Sequence, residues 1–178
     1  MTHMNNLVFK AAVFAKNAHK GQFRKYGHSH HPYILHPMRV AGRVTLHTQS
    51  DMVVAASWLH DTIEDCAHVD FELLVRTFGL KVATLVEELT NPSKKSKASR
   101  ATRKQMDRDH ILTVSSEAKL IKLCDRIDNL NEMKDDPETP TSFIKLYIPE
   151  SLLLLEVLRG TNQYLEDELE KLIDSFGI

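Results

Sequence analysis

Asp51-Met52-Val53-Val54-Ala55-Ala56-Ser57-Trp58-Leu59-His60-Asp61 is the stretch that decides the fold. Asp51 is expected to cap a helix, and Val53, Val54, Ala55, Ala56, Trp58 and Leu59 make nearly every side of that helix apolar. A helix that is apolar all round belongs at the centre of a protein, with other helices covering it. It ends on His60-Asp61, two polar groups that are costly to bury without partners.

Working outward toward the N-terminus, Leu7, Val8, Ala11, Ala12, Ala15 and Ala18 recur at helical spacing, and Gly21 is a natural stop. Residues 22–35 are rich in charge and turn formers and predict a loop closed by His36, while Pro37 suits the first turn of a second helix. Toward the C-terminus, Asp70 starts a helix that Gly79 ends, and a further helix over 80–90 stops at Asn91-Pro92. Residues 93–104 carry Lys94, Lys95, Lys97, Arg100, Arg103 and Lys104 with no acid, which predicts a basic, mobile connection. A short helix is expected over 105–114, and Ser116 is expected to cap a long buried one that runs through Met133. Pro137 and Pro140 mark a loop, and two last helices flank Gly160. No strand alternation and no repeat emerges, so the expectation is an all-α, compact multi-helix bundle forming one domain over residues 1–178.

Composition narrows the function classes. At 178 residues, with 42% hydrophobic and 26% charged residues, the chain matches ordinary globular averages rather than a disordered or fibrous protein. A net charge of −1 implies no broad surface for nucleic acid, so any anion binding must be local. Cys66 and Cys124 are isolated and form no metal motif or disulfide framework, which fits a reduced cytoplasm. The longest apolar run, residues 152–155, is far too short for a membrane span, and no secretory leader is read at the N-terminus.

The histidines are the unusual count: ten in all, five of them from His19 to His36. His28, His30 and His31 read as solvent-exposed loop residues, and His19 as a hydrogen-bonding residue on the first helix. An imidazole beside a carboxylate, as in His60-Asp61, suits a borderline divalent cation. Asp125 interrupts another buried helix in the same way, with Asn129 one turn further along the same face. Glu64 and Asp65 lie three and four residues beyond Asp61, where both carboxylates can approach a metal-bound water from one side.

This distributed pattern resembles the HD superfamily of metal-dependent phosphohydrolases and, within it, the hydrolase domain of the RelA/SpoT alarmone enzymes. The likeness is carried by residues 18–25 (AHKGQFRK), 32–37 (PYILHP), 59–65 (LHDTIED) and 118–130 (AKLIKLCDRIDNL), and it continues through Phe78-Gly79, 86–90 and 160–163. In length the chain is similar to the single-domain small alarmone hydrolases and metazoan SpoT homologues, which lack a synthetase domain.

The resemblance implies one divalent metal, manganese, held by His36, His60, Asp61 and Asp125. It gives Glu64 and Asp65 to water activation, Asn129 to substrate contact, and Arg24 and Lys25 to the substrate loop. Arg100, Lys104 and Lys145 fall where relatives place phosphate-binding bases. Tyr33 either stacks on the nucleobase or ribose or packs the loop. The implied activity is hydrolysis of the 3′-pyrophosphate of guanosine tetra- or pentaphosphate to GDP or GTP plus pyrophosphate. A 2′-phosphatase acting on NADPH, another HD-type nucleotide phosphohydrolase and a non-catalytic alarmone-binding module are the alternatives. The partner implied is a small molecule in the cytoplasm, not nucleic acid or membrane, with a homo-oligomer left open.

Overall fold

The computed structural model describes residues 6–25 and 30–177. His28 lies outside them. Ten α-helices and no strand form among the described residues, so the all-α expectation holds. The chain gathers into two compact units: Met1–Gln22 with Pro32–Thr90, and Phe23–His31 with Asn91–Ile178.

The first unit contains α1 (Asn6–Ala18), α2 (Leu35–Val44), α3 (Asp51–Leu59), α4 (Thr62–Asp65), α5 (Phe71–Phe78) and α6 (Leu80–Leu89). The apolar helix α3 is its centre, packed by α1, α2 and α6. Ala11 and Ala15 of α1 are fully buried, and their small side chains allow close approach of the backbones. Asp51 is not the cap of α3 but its first residue; the cap position is Ser50, whose extended backbone (φ −85°, ψ 109°) turns the chain into the helix. Asp51 still lies where the helix dipole favours an acid. Asp70 does cap α5, its carboxylate accepting the Leu73 N–H at 2.7 Å. Gly79, at φ +88°, makes the bend between α5 and α6 that a side chain would strain.

The second unit contains a 3-10 turn (Pro92–Lys95), α7 (Arg100–Thr113), α8 (Ser116–Asp135), α9 (Thr141–Leu158) and α10 (Gln163–Asp174). The long helix α8 is buried on many sides and packs against α9 and α10. Its cap is Ser115 rather than Ser116, the hydroxyl accepting the Ala118 N–H at 3.2 Å. The expected mobile connection over 93–104 is instead ordered. Ser99 caps α7 by accepting the Thr102 N–H, so the helix starts five residues before the expected 105. Ser93 is buried and donates its N–H to Asp107, tying the turn to α7. The run of bases hid this start, because its charges belong to a helix face and a turn. No helix among the described residues is long and apolar enough to cross a membrane.

Candidate functional site

In the first unit the chemistry collects where α3 ends. The last four carbonyls of a helix have no partner within it. Here the Ser57 carbonyl accepts from His60 Nδ1 at 2.8 Å, and the Leu59 carbonyl accepts from the Thr62 hydroxyl at 2.7 Å. With Nδ1–H spent on the backbone, the neutral His60 ring presents the lone pair of Nε2. That nitrogen lies 3.3 Å from Nε2 of His36, which the first turn of α2 supplies. Asp61 Oδ2 lies 3.1 Å from His60 Nε2 and 3.6 Å from His36 Nε2. Both histidines are buried, at 1% and 2% exposure.

Tyr33 backs this cluster. Its hydroxyl donates to Asp61 Oδ2 at 2.6 Å and lies 3.2 Å from Asp65 Oδ2. One face of its ring stacks on His19, with centroids 4.7 Å apart. His19 Nδ1–H donates to Gln22 at 2.7 Å, and Gln22 donates to the Asp65 carbonyl at 3.0 Å, joining the end of α1 to the turn that carries Asp65. Burial lowers the pKa of His19 more than Gln22 and the nearby Asp61 and Asp65 raise it, so the ring stays neutral. Glu64 and Asp65 occupy the second half of α4, Glu64 part-buried and Asp65 exposed.

In the second unit Asp125 sits on α8 at 5% exposure. Its Oδ1 accepts from Asn129 Nδ2 at 2.6 Å and its Oδ2 lies 2.9 Å from Lys122 Nζ. Asn129 in turn accepts from Arg24 Nη2 at 2.6 Å, and Arg24 Nε donates to Glu132 at 2.7 Å. Arg24 is thus held in a fixed fork by α8. Lys25 and Lys145 are exposed. Arg100 is engaged by Glu150, donating to both carboxylate oxygens at 2.6 and 2.9 Å. Lys104 lies on α7, 3.5 Å from Asp107. His30 and His31, the described members of the histidine-rich loop, are exposed as expected.

A family model for the HD domain matches residues 11–146. The guanosine-3′,5′-bis(diphosphate) 3′-pyrophosphohydrolase MESH1 of Xenopus tropicalis is 35% identical over 97% of this chain and 96% of its own. The human protein of the same name is 34% identical over 96% and 95%. The chain belongs to the HD-domain family. Among solved structures, one described as a metazoan ortholog of SpoT that hydrolyzes ppGpp superposes with a TM-score of 0.87 at 28% identity, covering 99% of both chains.

The donors of this HD domain fit a divalent ion. Atoms each about 2.1 Å from one ion lie about 3.0–3.4 Å apart at right or tetrahedral angles. His60 Nε2 lies 3.1 Å from Asp61 Oδ2 and 3.3 Å from His36 Nε2, within that spacing, and the third separation, His36 Nε2 to Asp61 Oδ2, is slightly wider at 3.6 Å. Two imidazole nitrogens and a carboxylate oxygen turned toward one another are a donor set suited to a borderline divalent cation.

Sequence reasoning overlooked four contributors to the HD domain. Glu132 follows Asn129 by three residues and Asp125 by seven, so the helical spacing that identified Asn129 reaches Glu132 one turn later. Gln22 carried no signal, because its role depends on a turn formed far along the chain. Lys122 and Arg126 looked like ordinary charges beside Asp125, yet Arg126 is only 8% exposed.

Proposed function

We propose that this HD domain is a manganese-dependent hydrolase that removes the 3′-pyrophosphate of guanosine tetra- or pentaphosphate, releasing GDP or GTP and pyrophosphate. The full-length similarity to the MESH1 hydrolases carries the choice of substrate. The buried His36, His60 and Asp61 donors support the metal chemistry. In this reading Asp125 supplies the fourth ligand.

A bound divalent ion lowers the pKa of water and offsets charge on the attacked phosphoryl oxygens. The remaining steps belong to side chains. Asp61, oriented by the Tyr33 hydroxyl, and His60, oriented by the Ser57 carbonyl, hold their donor atoms in place. Glu64 and Asp65 take the proton from the attacking water. Its oxygen bonds to the phosphorus nearest the ribose while the bond from that phosphorus to O3′ breaks, and the proton that the carboxylates accepted passes to O3′, which leaves as the ribose hydroxyl. Arg24, fixed by Glu132, and Asn129 position the nucleotide.

The test is guanosine tetraphosphate hydrolysis with and without manganese, alongside Asp125→Ala. Pyrophosphate release that requires the metal and vanishes in the variant supports the reading. Orthophosphate release from NADPH without pyrophosphate release from the alarmone replaces it with the phosphatase alternative. Binding of the alarmone with no release of either product replaces it with a binding module.

A further inference from the structure

Helix α9 buries one face and leaves an apolar face bare. Ile148, Ser151, Leu154, Leu155 and Leu158 turn inward and are buried. The outward face of such a helix is ordinarily polar. Here Leu146, Leu152 and Leu153 are 54%, 45% and 49% exposed, and Pro149 lies exposed among them. Single apolar residues on a surface are ordinary, whereas a contiguous group marks a binding face.

Two charges of opposite sign complete this face. Lys145 and Glu156 are both exposed and lie eleven residues apart. That spacing is about three turns, or ~16 Å along the axis, and at about 100° per residue it leaves them within about 20° of each other around the helix. Leu152 flanks this charged line on one side, and Leu146 and Leu153 flank it on the other. No acid lies within four residues of Lys145 on the helix. Glu156 lies 3.7 Å from Arg159, whose guanidinium is already engaged by Glu170 at 2.7 Å.

The arrangement is self-complementary. When a second α9 lies antiparallel across the face, a two-fold axis at the midpoint of 145–156 sets Lys145 of each chain against Glu156 of the other. Leu146 and Leu153 lie ~7 and ~4 Å from that midpoint on opposite sides, so the rotation brings Leu146 of one chain beside Leu153 of the other. Leu152, ~2 Å from the midpoint, meets its own copy. Residue i contacting j while j contacts i is the mark of an isologous two-fold interface. A lipid surface needs charge of one sign, and this face carries both in balance.

We propose that the outward face of α9 is the seat of an antiparallel, two-fold homodimer, held by the leucines and given its register by two Lys145–Glu156 pairs. The face is short, so the dimer is of the weak, transient class that buries less than about 1,200 Å² in all. It assigns Lys145, grouped above with the phosphate-binding bases, to the dimer. The hydrolase reading uses none of these residues, and the two stand or fall separately.

The experiment is sedimentation equilibrium on the full chain between about 5 and 500 µM, which brackets the affinities of weak interfaces. Wild type is expected to pass reversibly from monomer to dimer. Lys145→Glu and Glu156→Lys each turn two attractive pairs into two repulsive ones, and each alone is expected to weaken the dimer by about tenfold or more. Mixed in equal amounts, a chain with two acids faces a chain with two bases. The mixture is expected to recover wild-type affinity to within about threefold. Leu153→Ser, which removes apolar contacts at both ends of the face, is expected to weaken the dimer by about tenfold. All these positions are exposed, and circular dichroism matching wild type verifies that the variants fold.

Wild type that stays monomeric throughout overturns the proposal, as does a dimer indifferent to both charge reversals and to Leu153→Ser. Failure of the equal mixture to recover affinity overturns the antiparallel register on which the proposal rests. A monomer that instead sediments with vesicles of phosphatidylcholine and phosphatidylglycerol gives the face to a lipid surface and removes the second copy.

Discussion

Replacing Tyr33 with phenylalanine separates two roles that the sequence left open. The ring stacks on His19 and its hydroxyl donates to Asp61 Oδ2 at 2.6 Å, the short distance of a charge-assisted bond. Tyr33→Phe keeps the stack and removes only that bond. A hydrogen bond to a charged acceptor contributes about 1.5–3 kcal/mol. Partners that orient a metal ligand typically change metal affinity by about 10–100-fold. The two ranges agree, because about 1.4 kcal/mol corresponds to a factor of ten. Manganese affinity, measured by competition with a chelating dye, is therefore expected to fall by that factor in Tyr33→Phe. With metal restored to saturation, the KM for guanosine tetraphosphate should stay within about threefold of wild type, since the hydroxyl is spent on Asp61. Unchanged metal affinity with a tenfold rise in KM would refute this reasoning and make Tyr33 a substrate contact.

The remaining predictions concern stability. Arg24→Met removes the Arg24 cation from Glu132, 4% exposed in its side chain, and urea denaturation should show a loss of about 3 kcal/mol; a change under about 0.5 kcal/mol would mean that the pair contributes nothing measurable. His19 is buried and its pKa is lowered below 6.5 mainly by that burial, so the unfolded chain binds its proton first as pH falls. Its contribution is complete above pH 6.5 and drains away toward the lower folded value, at up to about 1.4 kcal/mol per pH unit. His19→Gln should therefore lose less stability than wild type between about pH 7.5 and 5.5 in parallel urea titrations, and equal losses would contradict the burial argument. Ser99→Ala removes the cap of α7 at a cost of about 1 kcal/mol, and trypsin should cut the lysine-rich segment before it faster than in wild type.

The elements that sequence made legible are those whose pattern is local. The all-apolar face of 51–59 placed α3 at the centre of its unit, and Asp70 and Gly79 marked the two ends of α5. His60 and Asp61 stood out because two polar groups on such a helix need partners, and the structure supplies Ser57, His36 and Tyr33. Illegible were the features whose cause lies far along the chain. Arg100 reads as one base in a basic run until Glu150, fifty residues later, closes on it. Gln22 reads as loop until it meets the Asp65 carbonyl. The caps missed by one residue, Asp51 for Ser50 and Ser116 for Ser115, fail for another reason: either member of each polar pair satisfies the rule, and only the backbone turn chooses.

Helix α8 shows how much a single buried element can hold. At about 100° per residue, Asp125, Asn129 and Glu132 share one stripe, Lys122 and Arg126 share the next, and the two together span about 120° of the helix. Apolar residues such as Ile121, Leu123, Ile127 and Leu130 fill much of the rest and are fully buried. A polar band of that width on so buried a helix is costly unless each group is matched. The acceptor stripe is matched by Arg24 and by contacts within the helix, Lys122 to Asp125 and Asn129 to Asp125. The cation stripe is matched less well, since Arg126 rests on a hydroxyl and a ring face. One helix thus joins the two stripes through the Lys122–Asp125 pair and fixes Arg24 through Asn129 and Glu132.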